Sequence, residues 1–221
     1  MAKKKIVTKQ QIISWYMDFV LENNEQPKSV YLFSKSNGFE EAKFYEFFNS
    51  FESLEKAVFS AFFENTLKAL HKSDAYDSFD ARNKLLSFYF TFFENLTANR
   101  SYVVYSLKKH KNNLKSLAQL AALKANFTGY IDELEIETID IPQEQLSKVQ
   151  QRALKESAWL QLLLTMKFWL DDASSSFEKT DIFIEKSVNT SFDILNIAPL
   201  KSVIDFGKFI FKETMHMKQN M

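Results

Sequence analysis

The sequence predicts an all-α fold, and three observations carry that expectation. Its 221 residues include only three Gly and three Pro, so few positions break a helix or favour a tight turn. Apolar residues make up 46% of the chain and recur at three- and four-residue spacing over long stretches. The 23 Phe, against 3 Trp and 8 Tyr, supply large buried area without a polar atom to satisfy. A chain of this length can bury a substantial core.

The elements follow in order. Residues 6–23 place Ile12, Ile13, Trp15, Tyr16, Phe19 and Val20 at helical spacing, with Thr8 as the cap. Residues 23–27, Asn-Asn-Glu-Gln-Pro, form a loop. Ser29 caps a short second helix, because its hydroxyl can accept from an otherwise orphan backbone N–H. Asn37-Gly38 closes that helix with a turn, and a third starts near Phe39. The third helix is expected to turn Phe44, Phe47 and Phe48 inward with Tyr45 beside them. Its outward set is Glu40, Glu41, Glu46 and Phe51.

From Phe51 to about Lys72 one long helix carries Leu54, Val58, Phe59, Phe62 and Phe63. A polar connector then leads to an aromatic helix over 79–98, striped by Leu85, Phe88, Phe92 and Leu96. A shorter helical segment over 102–109 and another over 114–130 follow. Residues 132–141 alternate acidic and apolar groups and read as irregular or weakly extended. The longest helix covers 143–172 and is apolar nearly all round in its second half, so other helices must surround it. Helices over about 178–196 and 199–214 finish the chain.

The stretch 29–54 has the grammar of a helix–turn–helix. It reads Ser29-Val30, Phe33-Ser34, Gly38, then Phe44-Tyr45-Glu46-Phe47-Phe48, and finally Glu52 with Leu54. This order resembles the DNA-binding head of the TetR/AcrR family of bacterial transcriptional regulators. The run Trp169-x-x-Asp172, followed by serines and Lys179-Thr180-Asp181, looks like part of that family's body. The resemblance implies a helix–turn–helix head over 1–52 and a ligand-binding and dimerisation body over 53–221. It also implies a homodimer formed through about 178–214.

Under that resemblance Lys28, Lys35, Lys43 and Tyr45 are the candidate DNA contacts. Phe88, Phe92, Tyr102, Tyr105, Trp159, Leu163, Met166 and Trp169 are the candidate lining of a cavity for a small hydrophobic or lipid-like ligand. The leading reading is a dimeric transcriptional regulator whose body binds a small apolar ligand that modulates DNA binding. The alternative is a TetR-fold protein that no longer binds DNA and acts as a lipid-binding or interaction protein. Charge separates the two. Residues 6–60 carry five lysines and no arginine against eight acids, a net charge of −3 that Lys3, Lys4 and Lys5 bring only to zero. Phosphate binding draws on the opposite balance. Phe51 also stands where family members commonly place a phosphate-binding lysine.

Enzyme chemistry finds little purchase. His71, His110 and His216 lie far apart and in no metal-ligand spacing. Asp171 and Asp172 are adjacent, so on a helix they point about 100° apart and suit a helix-end contact. With no cysteine, thiolate metal sites, disulfides and cysteine nucleophiles are excluded. Three glycines could hardly build a phosphate loop. No cofactor and no metal are expected. The most apolar run, 158–170, contains Gln161, Thr165 and Lys167 and is too short to span a bilayer. The first eleven residues have a lysine run but no long apolar stretch, so a soluble cytoplasmic protein is expected.

Overall fold

The computed structural model describes residues 6–108, 117–137 and 144–196. Among them the regular structure is all helical, with no strand. The chain divides into two compact units, one of residues 1–78 and 87–130, the other of residues 79–86 and 131–221.

In the first unit α1 (Lys9–Asn23) opens on a capping box, in which Thr8 and Gln11 satisfy each other's backbone N–H. Helix α2 (Val30–Ser36) starts at Ser29, whose hydroxyl accepts from the Leu32 N–H at 3.2 Å. Gly38 then takes φ +71°, a left-handed conformation that suits a residue without Cβ. Helix α3 (Glu41–Tyr45) is only five residues long, and α4 (Phe51–Leu70) begins on a second capping box between Ser50 and Ser53.

Phe33 organises this part. Its ring lies 5.7–6.4 Å from those of Tyr16, Phe19, Phe39, Phe44 and Phe51, mostly edge to face. These rings come from α1, α2, α3, α4 and the turn, so one buried side chain sets how all four helices meet. A fully buried Phe contributes about 1.5–3 kcal/mol through its apolar area. Aromatic pairs of this geometry add about 0.5–1.5 kcal/mol beyond that area.

Helix α5 (Ala81–Ala98) gives its first residues to the second unit and the remainder to the first. In the first unit it is joined by α6 (Arg100–Lys108) and by α7 (Ala121–Glu133) as far as Tyr130. Phe88 is the centre of a second aromatic cluster, stacked on Phe92 at 5.4 Å and within 5.0–5.4 Å of Phe63, Phe127 and Tyr130. The Tyr76 and Tyr130 hydroxyls hydrogen-bond at 2.8 Å beneath it.

The second unit is built on α8 (Glu144–Asp171) and α9 (Glu178–Asn196). Asp172 connects them. Its carboxylate accepts from the N–H and hydroxyl of Ser174 at 2.8 and 2.7 Å, and from those of Thr180 at 2.9 and 2.7 Å. Burial opposes ionisation of Asp172, but these four bonds outweigh it and hold the carboxyl well below the usual range. Asp171, the exposed neighbour, pairs with Lys167 at 2.9 Å. Arg82 reaches Asp193 of α9 at 2.7 Å, and Lys155 reaches Asp132 at 2.9 Å.

One expectation needs correction here. Residues 132 and 133 are the last turn of α7 rather than irregular chain, and Leu134-Glu135 is a turn. The apolar stripe of α7 carries the helix past Tyr130, since Ile131 and Leu134 are also buried. Residues 136 and 137 are irregular as expected, while the expected helix over 199–214, His110, His216 and residues 138–141 lie outside the described residues.

Asp172 yields a test. A carboxyl whose folded pKa is depressed contributes stability above its unfolded pKa of about 4, and that contribution fades as pH falls. Asp172→Asn should therefore lower the urea midpoint at pH 7. The gap between variant and wild type should close as the pH is lowered through about 4 towards 2. A gap of constant size across that range would assign Asp172 no ionic role.

Candidate functional site

The outward face of the helix–turn–helix is the first candidate. Lys28 is exposed just before the cap of α2. Lys35, also exposed, holds its ammonium 5.8 Å over the ring of Tyr31. Lys43 is half-buried, ion-paired with Glu46, and 5.0 Å over the ring of Phe47. Tyr45 is exposed, and its hydroxyl lies 3.5 Å from the Glu41 carboxylate. Lys56 is paired with Glu52 at 2.8 Å. Lys43 and Lys56 thus spend their charge on acids of their own neighbourhood.

The expected division between inner and outer residues is corrected at three positions. Phe47 and Tyr45 are 37% and 53% exposed, because α3 ends at Tyr45 and its helical period does not extend through the turn that follows. Phe51 faces inward at 6% exposure, stacked on Tyr16 at 5.5 Å and against Phe33 and Phe44. The position where relatives commonly hold a lysine is therefore part of the core. Glu40 and Glu46 are exposed as expected, and Glu41 is half-buried.

Two shallow grooves flank α3. One, of about 690 Å³, runs between the N-terminal segment and the turn, with Ile6, Val7, Trp15 and Phe39 along it and Glu40 and Glu46 at its rim. Its floor is the stacked pair Trp15 and Phe39, 5.4 Å apart. The other, of about 340 Å³, is lined by Tyr45, Glu46, Phe47 and Phe48.

A buried polar junction lies behind the head. Glu55 of α4 is 5% exposed. Its carboxylate accepts from the Tyr16 hydroxyl of α1 on one oxygen and from the Gln119 amide, at 2.9 Å, on the other. The Ser106 hydroxyl of α6 donates to the Gln119 carbonyl at 3.1 Å. Burial, followed by the bond to Glu55 and its charge, pushes the Tyr16 phenol well above its ordinary pKa. Burial and then the Glu55 charge do the same to Tyr102. Both phenols stay neutral in the physiological range, and Tyr16 remains a donor.

In the sequence Glu55 enters only as one of the eight acids of residues 6–60. Its spacing held the contrary signal. Phe51, Glu55 and Phe59 are four residues apart, so Glu55 stands on the buried stripe of α4.

The eight candidate ligand residues fall in both units. In the first, Phe88, Phe92 and Tyr102 are buried, and Phe88 and Phe92 stack together. Tyr105 is half-buried and lines a groove of about 480 Å³ with Val20, Leu21 and Arg100. In the second, Trp159, Met166 and Trp169 are buried and Leu163 is half-buried.

The second unit also carries an apolar surface. Phe168 of α8 stacks on Phe183 of α9, 4.6 Å apart with rings 13° from parallel. A groove of about 540 Å³ over this pair is lined by Ile182, Lys179 and Lys186 as well, and Leu164 and Ile182 are each half exposed. Among the described residues no cluster of His, Asp or Glu could hold a metal ion, and no helix is long and apolar enough to cross a membrane.

Residues 84–210, more than half the chain, match the family model described as the tetracyclin repressor-like C-terminal domain. The chain belongs to the TetR-like family. No curated protein matches it. The match falls on the body, where the resemblance in sequence was weakest, while the head pattern over 29–54 lies outside it. Membership points to a regulator rather than an enzyme.

The junction invites a double-mutant cycle. Tyr16→Phe and Glu55→Gln should each reduce unfolding free energy by about 1–3 kcal/mol, since each disturbs a buried bonded partner. The double variant should cost at least about 0.5 kcal/mol less than the sum, as expected for groups in one network. Additive losses would show that Tyr16 and Glu55 act separately.

Proposed function

We propose that this TetR-family chain is a dimeric, cytoplasmic transcriptional regulator whose helical body, about 53–221, binds a small apolar ligand that modulates DNA binding by the head, about 1–52. The observation that carries the reading is the Glu55 junction. It fastens α1 of the head to α4 and, through Gln119 and Ser106, to α6. A shift of α6 is thereby felt by the head, as ligand control of DNA affinity requires.

Each part has its residues. Lys28, Lys35, Lys43 and Tyr45 meet phosphates or base edges. The candidate ligand residues are Phe88, Phe92, Tyr102 and Tyr105 in the first unit and Trp159, Leu163, Met166 and Trp169 in the second. The dimer forms through about 178–214. The apolar surface of Ile182, Phe183 and Phe168 supports it, since a two-fold interface needs one self-complementary patch.

A second reading has its own observation. Glu40 and Glu46 project from the exposed side of the head, and Lys43 is neutralised by Glu46. That favours a family member that has given up DNA and serves as a hydrophobic-ligand-binding or interaction protein.

Fluorescence anisotropy with duplex DNA from upstream of the protein's own coding region separates the readings. A regulator should bind with an affinity that falls steeply between about 50 and 200 mM salt. Lys28→Ala and Lys35→Ala should each lower the salt slope by about 1. Absence of salt-sensitive binding at micromolar protein would leave the second reading standing.

A further inference from the structure

We infer that the Tyr89 hydroxyl is the polar contact of the body's ligand, and that this ligand is an apolar molecule with one neutral hydrogen-bond acceptor, such as a ketone or ester carbonyl. The inference rests on the reading of the body as a ligand-binding domain and deepens it. It does not depend on DNA binding.

Tyr89 belongs to α5, within the first unit and next to Phe88. Its side chain is fully buried, and its hydroxyl has no hydrogen-bond partner. Rings enclose it: Phe93 is stacked on it at 6.2 Å, and Phe88 and Phe127 meet it edge to face at the same distance. Buried hydroxyls in folded proteins are nearly always bonded, because a bare one has given up its bonds to water without return. Packing supplies no reason for this one. Residues 88–93 read Phe-Tyr-Phe-Thr-Phe-Phe, so phenylalanine serves the same helix on either side. A phenylalanine at 89 would fill the same space without burying a polar atom. The hydroxyl therefore serves a contact made from outside the chain.

The surroundings narrow the ligand. Burial alone pushes the Tyr89 phenol well above its ordinary pKa, with no charged group among the described residues contributing. The group stays an O–H at physiological pH and offers a proton. A carboxylate or ammonium brought against it would be desolvated with no opposite charge beside it, which is costly. A neutral acceptor loses only its bonds to water and recovers one from Tyr89. An apolar remainder suits the rings of Phe88, Phe93 and Phe127. Binding selects a state in which those rings part.

The test uses the full chain, as wild type and as Tyr89→Phe, with acetophenone, ethylbenzene and benzoate, which have nearly one size. Titrations are followed by ligand-observed NMR. Tyr89→Phe should weaken acetophenone by about fivefold or more, since a hydrogen bond is lost, and leave ethylbenzene within about twofold. Benzoate should bind the wild type more weakly than acetophenone does. Without any ligand, Tyr89→Phe should raise the melting temperature by about 2 °C or more, because an unmet hydroxyl has been removed.

Equal weakening of acetophenone and ethylbenzene, no change in either, or benzoate bound as tightly as acetophenone would overturn the inference. So would a lowered melting temperature, since the hydroxyl would then have a partner within the folded chain. Each of these results leaves the body standing as a site for apolar ligands. Failure of all three molecules to bind at millimolar concentration would instead remove that reading, and the inference with it.

Discussion

Phe33 is the contact on which the head depends. Five rings surround it, and they arrive from three other helices and a turn. Short helices such as α2 and α3 are marginal by themselves. They persist here because each contributes a ring to a cluster that none can complete alone. Gly38 permits the close turn that brings Phe39 and Phe44 to Phe33. The capping residues Thr8, Ser29 and Ser50 fix where the neighbouring helices begin.

Glu55 adds something that packing does not. Apolar contacts are tolerant of small slides, whereas a carboxylate bonded on both oxygens accepts few arrangements. Tyr16 and Gln119 therefore define a register between α1, α4 and the chain that follows α6. Asp172 plays a comparable part in the second unit, where four short bonds set the angle at which α9 leaves α8.

Much of this was legible in the sequence, and what was not has physical reasons. The fold class followed from the scarcity of Gly and Pro, and the long helices from their apolar period. Ser29, Thr8 and Gly38 announced their roles because caps and left-handed turns accept few residue types. The inner and outer sides of α3 were read less well. A five-residue helix offers barely more than one turn, and Phe47 follows the geometry of the turn after it. Phe51 was misplaced because a phenylalanine at a lysine position says only that the lysine is missing. Its burial depended on Tyr16 and Phe33, both distant in sequence. Glu55 was legible in its spacing but hidden by its charge. The cavity proposed from eight aromatic and aliphatic residues rests on composition, and packed rings and ligand-lining rings have the same composition.

The central claim is that the interior of the head specifies the fold while its exterior decides the partner. The direct measurement is a double exchange of exterior acids, Glu40→Gln and Glu46→Lys, with unfolding and DNA titration read on the same protein. The division of labour predicts an unchanged unfolding midpoint and an affinity for duplex DNA raised by at least about tenfold at low salt. A lowered midpoint, or an affinity that does not move, would contradict it.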